Sequence, residues 1–114
     1  FDGATSLTTG AGKAYVTVPE FLNSSVITAT HARVVTSGTT GTTDITIKRN
    51  GTTIYSTNMT IDSTETGSDT AATPYVFDGA QTTVLTNDLL QIDVDAISTT
   101  APKGLIVRIE MTLP

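Results

Sequence analysis

The sequence contains no cysteine, no tryptophan and one histidine, His31, and only 15% of its 114 residues are charged, against roughly a quarter in an average domain. Without cysteine there is no disulfide framework, no thiolate nucleophile and no cysteine-based zinc site. The six basic residues (Lys13, Arg33, Lys48, Arg49, Lys103 and Arg108) are scattered, and the net charge is −5. No basic patch therefore marks a nucleic-acid partner. No run approaches the ~18 apolar residues of a membrane-spanning helix. A phosphate-cradling Gly-x-Gly-x-x-Gly or Walker-type loop is absent, as is a Gly-x-Ser-x-Gly nucleophile elbow. No secretory leader is visible, and the chain begins at Phe1 rather than Met. An N-terminal part is therefore expected to have been removed or left out.

Threonine fills the space that charge leaves. There are 26 Thr and eight Ser, and 38% of the chain is hydrophobic. Low charge with an ordinary apolar share argues against disorder. A helical bundle is excluded because threonine is a poor helix former, while its β-branched side chain suits a pleated sheet. The length fits one domain with a modest core. The composition predicts an all-β chain.

Hydrophobic periodicity divides that chain. Residues 1–12 are rich in Gly, Thr and Ser without a repeat and read as an N-terminal arm or linker, with a single domain over 13–114. Residues 13–18 alternate, with Ala14, Val16 and Val18 on one face, and Pro19 ends the run. Residues 26–36 are apolar on both faces, as in a strand that touches both a core and a partner. The strongest local signal is Asn50-Gly51 between alternating runs, the pattern of a type I′ hairpin. It sets Arg49 against Thr52, Ile47 against Ile54 and Ile45 against Ser56, with the three isoleucines facing the core. Short strands are expected at 59–61, 75–77 and 82–85, and a polar surface loop at 62–73. The last two runs, 90–97 and 105–113, read as a hairpin pairing Val94 with Val107 and Asp93 with Arg108. The sum is an antiparallel β-sandwich or jelly roll of about seven to eight strands.

The chemistry-bearing residues are sparse. His31 lies inside a strand and reads as an ordinary strand histidine near a surface or subunit contact. Acidic residues cluster at Asp62, Glu65 and Asp69 and again at Asp88, Asp93 and Asp95. Neither group has EF-hand spacing, and both read as solvated charge, so no metal and no cofactor is expected. Asn-x-Ser/Thr sequons stand at Asn23, Asn50 and Asn58, of which Asn50 is explained by its turn. Leu89, Ile97 and Ile106 fall on nominally polar strand faces, and with Val35 they are candidate oligomer contacts.

In the second half, Thr70-Ala71-Ala72-Thr73-Pro74, then Asn87-Asp88 before Asp93-Val94-Asp95, then Ala101-Pro102-Lys103-Gly104-Leu105 follow in order. With the upstream hairpin around Asn50-Gly51, this order resembles a recurrent domain of tailed-bacteriophage virion proteins, found in head fibres, tail fibres and capsid decoration proteins. The resemblance spans roughly residues 13–114. It implies a β-sandwich or jelly roll, commonly a homotrimer, on the particle surface, with no catalytic residue to carry over. Its implied partners are copies of itself and other virion proteins such as major capsid or tail proteins.

The expected function is therefore non-enzymatic, a capsid decoration (cement) protein or fibre domain. A second expectation is a fibre-tip module that binds host cell-surface glycan through Tyr15, Tyr55, Tyr75, Asp62, Glu65 and Asp69. A third is a secreted filament subunit whose arm, residues 1–12, adds a strand to a neighbour.

Overall fold

A computed structural model describes residues 3–114. Among the described residues there are nine strands: β1 (Gly10–Thr17), β2 (Val26–Thr36), β3 (Thr43–Arg49), β4 (Thr52–Thr53), β5 (Tyr55–Thr57), β6 (Met59–Ile61), β7 (Val76–Phe77), β8 (Leu89–Ala96) and β9 (Lys103–Thr112). The rest is loop and three short 3-10 turns, and no described helix is long and apolar enough to cross a membrane. The fold is all-β and antiparallel, as the composition predicts. The strands do not form two comparable sheets, however. They divide into a five-stranded sheet, ordered β1-β8-β3-β4 with β6 also on β3, and two two-stranded sheets, β2-β9 and β5-β7.

One core joins them. Ile45, Ile47, Leu90 and Val94 enter it from the five-stranded sheet, and Ile27, Ala32, Val34 and Leu105 from β2-β9. The two apolar faces of residues 26–36 arise from a bulge. The register slips between Ile27 and Ala29, so Ile27 and the later Ala32 and Val34 all point inward although their parity differs. Val35 is left outside.

The Asn50-Gly51 turn forms as expected. Both residues have positive φ, 50° and 86°, the backbone that a type I′ turn demands and that Asn and Gly tolerate. Arg49 pairs with Thr52, and the Ile54 amide donates to the Ile47 carbonyl. Beyond Ile54 the hairpin does not continue. Ile45 pairs with Met59 rather than Ser56, because Tyr55–Thr57 turns away to pair with β7.

Two further expectations are corrected. The last two long strands form no hairpin: Val94 pairs with Ile45 and Asp93 with Thr46, while Arg108 pairs with His31 and Val107 with Ala32. Residues 97–102 instead cross from one sheet to the other. They are held by the Thr39–Thr100 bridge and by Ser98, whose hydroxyl donates to the Gly41 carbonyl. Two strands that line one core from opposite sheets show the same alternation as a hairpin, so the pattern could not separate them. Residues 82–85 form no strand, but they lie against the start of β2, where the Ile27 amide donates to the Thr82 carbonyl. Of the segment 1–12 read as an arm, residues 1–2 lie outside the described residues; in the rest, Leu7 is buried, its amide donates to the Pro102 carbonyl, and Ser6 bridges Lys103.

Asp93 is also buried, only 1% exposed, although Ile92 packs against the core on the opposite face as expected. Its Oδ1 accepts hydrogen bonds from the Gly12 amide (2.8 Å) and Gln91 Nε2 (2.7 Å), and Lys48 Nζ lies 2.8 Å from Oδ2. Asp88 is similarly held, by the Leu85 amide, Asn50 Nδ2 and Arg49. Burial alone would raise both carboxyl pKa values, but these donors overcome it and hold both below the ordinary range. Lys48 is shifted upward by its bond to Asp93.

The unfolded chain therefore binds these two protons more readily than the native one. The stabilisation is complete above about pH 4 and is lost as pH falls through the depressed native values. Asp93→Ala leaves the Gly12 and Gln91 donors unpaired and should cost about 2 kcal/mol. It should also flatten the acid limb of a stability-versus-pH curve measured by urea unfolding.

Candidate functional site

The outer face of β2-β9 carries a cavity of about 370 Å³. The β2-β9 register puts His31 beside Arg108 and Ala29 beside Glu110, so one imidazole, one guanidinium and one carboxylate meet on the wall. Arg108 Nε and Glu110 Oε2 lie 3.3 Å apart along β9. The opposite wall is the loop that the sequence places at 62–73, extended to Tyr75. Its 3-10 turn Ser68–Thr70 sets Asp69 Oδ1 3.4 Å from His31 Nε2, and Pro74 and Tyr75 complete the rim.

This wall is positioned by backbone hydrogen bonding. Among the described residues the outer edge of β2 has no neighbouring strand over much of its length, and loop groups stand in for one. The Val34 amide donates to the Thr66 carbonyl (2.8 Å), the Ala32 amide to Ser68 Oγ (2.9 Å) and the Thr30 amide to Tyr75 Oη (3.3 Å). Behind them Tyr55, Tyr75 and Phe77 pack as a cluster, Tyr55 stacked on Phe77 at 5.6 Å between centroids and edge-on to Tyr75 at 5.7 Å.

The proposed ligand-facing residues do not converge. Tyr75 and Asp69 line the cavity. Tyr55 does not face a ligand. It is 3% exposed, its hydroxyl bonds Thr30 Oγ1 at 2.6 Å, and burial pushes its pKa well up. Apolar neighbours on β7 explain this, since an aromatic in a short strand finds a partner sheet. Tyr15 is exposed on β1 and lies outside the cavity lining. Asp62 accepts from the Ala72 amide (2.9 Å) and so holds its own loop, and Glu65 Oε2 is buried without a hydrogen-bond partner among the described residues. Of the proposed oligomer contacts, Val35, Ile106 and Leu89 are exposed, whereas Ile97 is half-buried and packs against the core.

His31, Ser68, Arg108 and Glu110 were not anticipated as site residues. Their meeting depends on β9 lying beside β2, which the alternation of β9 could not specify. His31 and Asp69 form an imidazole–carboxylate pair. Ser68 Oγ accepts from the Ala32 amide, and none of the described hydrogen bonds joins it to His31.

Asp93 and Asp95 are each taken up by protein donors. Thr46 Oγ1 and Asn58 Nδ2 bond Asp95. No three His, Cys, Asp or Glu side chains gather as a metal site among the described residues. Chemically the cavity offers an aromatic edge, two carboxylates and a guanidinium, a set suited to hydrogen-bonding a small polar ligand.

No protein-family model, curated protein or solved structure matches this chain significantly.

Proposed function

We propose that the protein is a non-enzymatic structural module that works by associating with copies of itself, as a decoration or fibre domain on a bacteriophage particle. The observation that carries the self-association is apolar side chains standing in solvent on regular strands. Val35 is 62% and Ile106 56% exposed on the outer face of β2-β9. Val35 lies across Gly104, where a Cβ would come 2.7 Å from a Val35 methyl and where φ is +71°. Val35 and Ile106 thus stand on paired strands rather than on a loop. Leu89, 37% exposed on β8, adds to the surplus, and surplus of this kind marks surfaces that meet protein. The virion placement is supported by the motif order around Pro74, Asp88 and Pro102.

A second reading is favoured by the cavity. Tyr75, Asp69, Glu110 and Arg108 give it the aromatic and polar groups that recognise a glycan, so a fibre-tip module binding host cell-surface glycan is the alternative.

Sedimentation equilibrium at high micromolar concentration should show species larger than one chain, and a monomer throughout would contradict the self-association. A density map of the native particle should then show the domain on its surface, and particles without it would contradict the virion role. On a glycan array the alternative requires binding that Tyr75→Ala abolishes; an array with no bound glycan removes that reading.

A further inference from the structure

The two edges of the β2-β9 sheet are treated differently. The β2 edge is closed by Thr66, Ser68 and Tyr75. Among the described residues the β9 edge is closed only at its start, where Ser6 bridges Lys103. From Leu105 onward no described residue pairs with it. The amides of Thr30, Ala32 and Val34 point away from β9, into the loop. Their cross-strand neighbours Ile109, Val107 and Leu105 therefore occupy the non-hydrogen-bonded positions of the β2-β9 ladder. The N–H and C=O groups of those three residues face outward from the sheet. The side chains of Val107, Ile109 and Met111 sit on the core side but remain only half-buried at its rim. Something that continues the sheet would satisfy both the backbone and this apolar row.

We propose that the β9 edge pairs with β9 of a second copy, antiparallel about a two-fold axis at Ile109. This adds a sheet-edge contact to the self-association proposed above and rests on that reading; Val35 on β2 and Leu89 on β8 lie outside it. The occupant is fixed by charge. With Ile109 opposite its own copy, Arg108 faces the second copy's Glu110, and Glu110 faces its Arg108. Both lie at positions where the closest cross-strand side chains meet, because their own backbone groups are turned toward β2.

A register centred on Arg108 would set arginine against arginine, and one centred on Glu110 glutamate against glutamate. Centred on Val107, the pairing would run back into Gly104 and the segment already held by Ser6. In the Ile109 register Val107 meets Met111, and this apolar row completes its burial on the inner side while the charges alternate on the outer side. The two cavities then open on one face of a continuous four-stranded sheet. Isologous pairing of this kind builds dimers and even-numbered assemblies, not the threefold that the phage resemblance implies.

The test is a charge exchange read by sedimentation equilibrium. Arg108 and Glu110 are 63% and 53% exposed, so substitution leaves the fold intact, and far-UV circular dichroism checks this. Arg108→Glu alone and Glu110→Arg alone should each weaken dimerisation roughly tenfold, since two attractive pairs become repulsive. Mixing the two variants, or combining both substitutions in one chain, should restore it.

A wild-type dimer or larger species whose constants ignore these substitutions overturns the inference and leaves self-association standing through another surface. A trimer does the same. A wild-type monomer overturns both, and so does an edge that instead takes up an unrelated strand while the chain stays monomeric with itself.

Discussion

A two-stranded sheet in a folded domain has two edges of backbone donors and acceptors that must find partners, and the architecture of this chain follows from how it meets that demand. The β2 edge is answered by a loop rather than a strand. Ser68 and Tyr75 lend side-chain oxygens, and Thr66 lends a carbonyl. That substitution draws the loop over the outer face of the sheet, places Asp69 against His31 and so creates the cavity. Among the described residues none pairs with the β9 edge after Lys103, and the rim of the core beside it stays half-open. Cavity and open edge are thus two consequences of one arrangement, and Arg108 and Glu110 belong to both.

The opposite sheet is secured differently. Its central strand β8 lies between β1 and β3, and its outward-facing Asp93 is enclosed by Lys48, Gln91 and the Gly12 amide. A buried carboxylate is destabilising unless several donors reach it. The irregular stretch of β1 between Gly10 and Ala14 brings one of those donors into place. Asp88 is treated in the same way at the far end of the strand, where Arg49, Asn50 and the Leu85 amide converge. Polar networks of this kind fix register as well as contributing stability.

Much of the fold was legible in the sequence because period-two alternation and turn chemistry are local. Threonine abundance indicated β structure, Asn50-Gly51 marked its turn, and Ile45, Ile47 and Ile54 marked the core. Pairing between distant strands was not local. Residues 105–113 alternate equally well beside β8 or beside β2, and only the crossing at Ser98 and Pro102 decides between them. The bulge at Thr28 hid which face of β2 is inward. The site was legible only in part for the same reason: Tyr75 and Asp69 lie on one loop, but His31, Arg108 and Glu110 come together through the β2-β9 pairing alone. Tyr55 was misplaced because an aromatic in a short strand gives no sign of whether a second small sheet will cover it.

On this proposal the β9 edge is completed by a second copy of the chain. Amide hydrogen exchange, followed residue by residue at rising protein concentration, reads that edge directly. The Val107 and Ile109 amides should exchange freely in dilute solution and become protected together as concentration rises, while the amides of Arg108 and Glu110, turned toward β2, stay protected throughout. Val107 and Ile109 amides that remain unprotected at high concentration would contradict it.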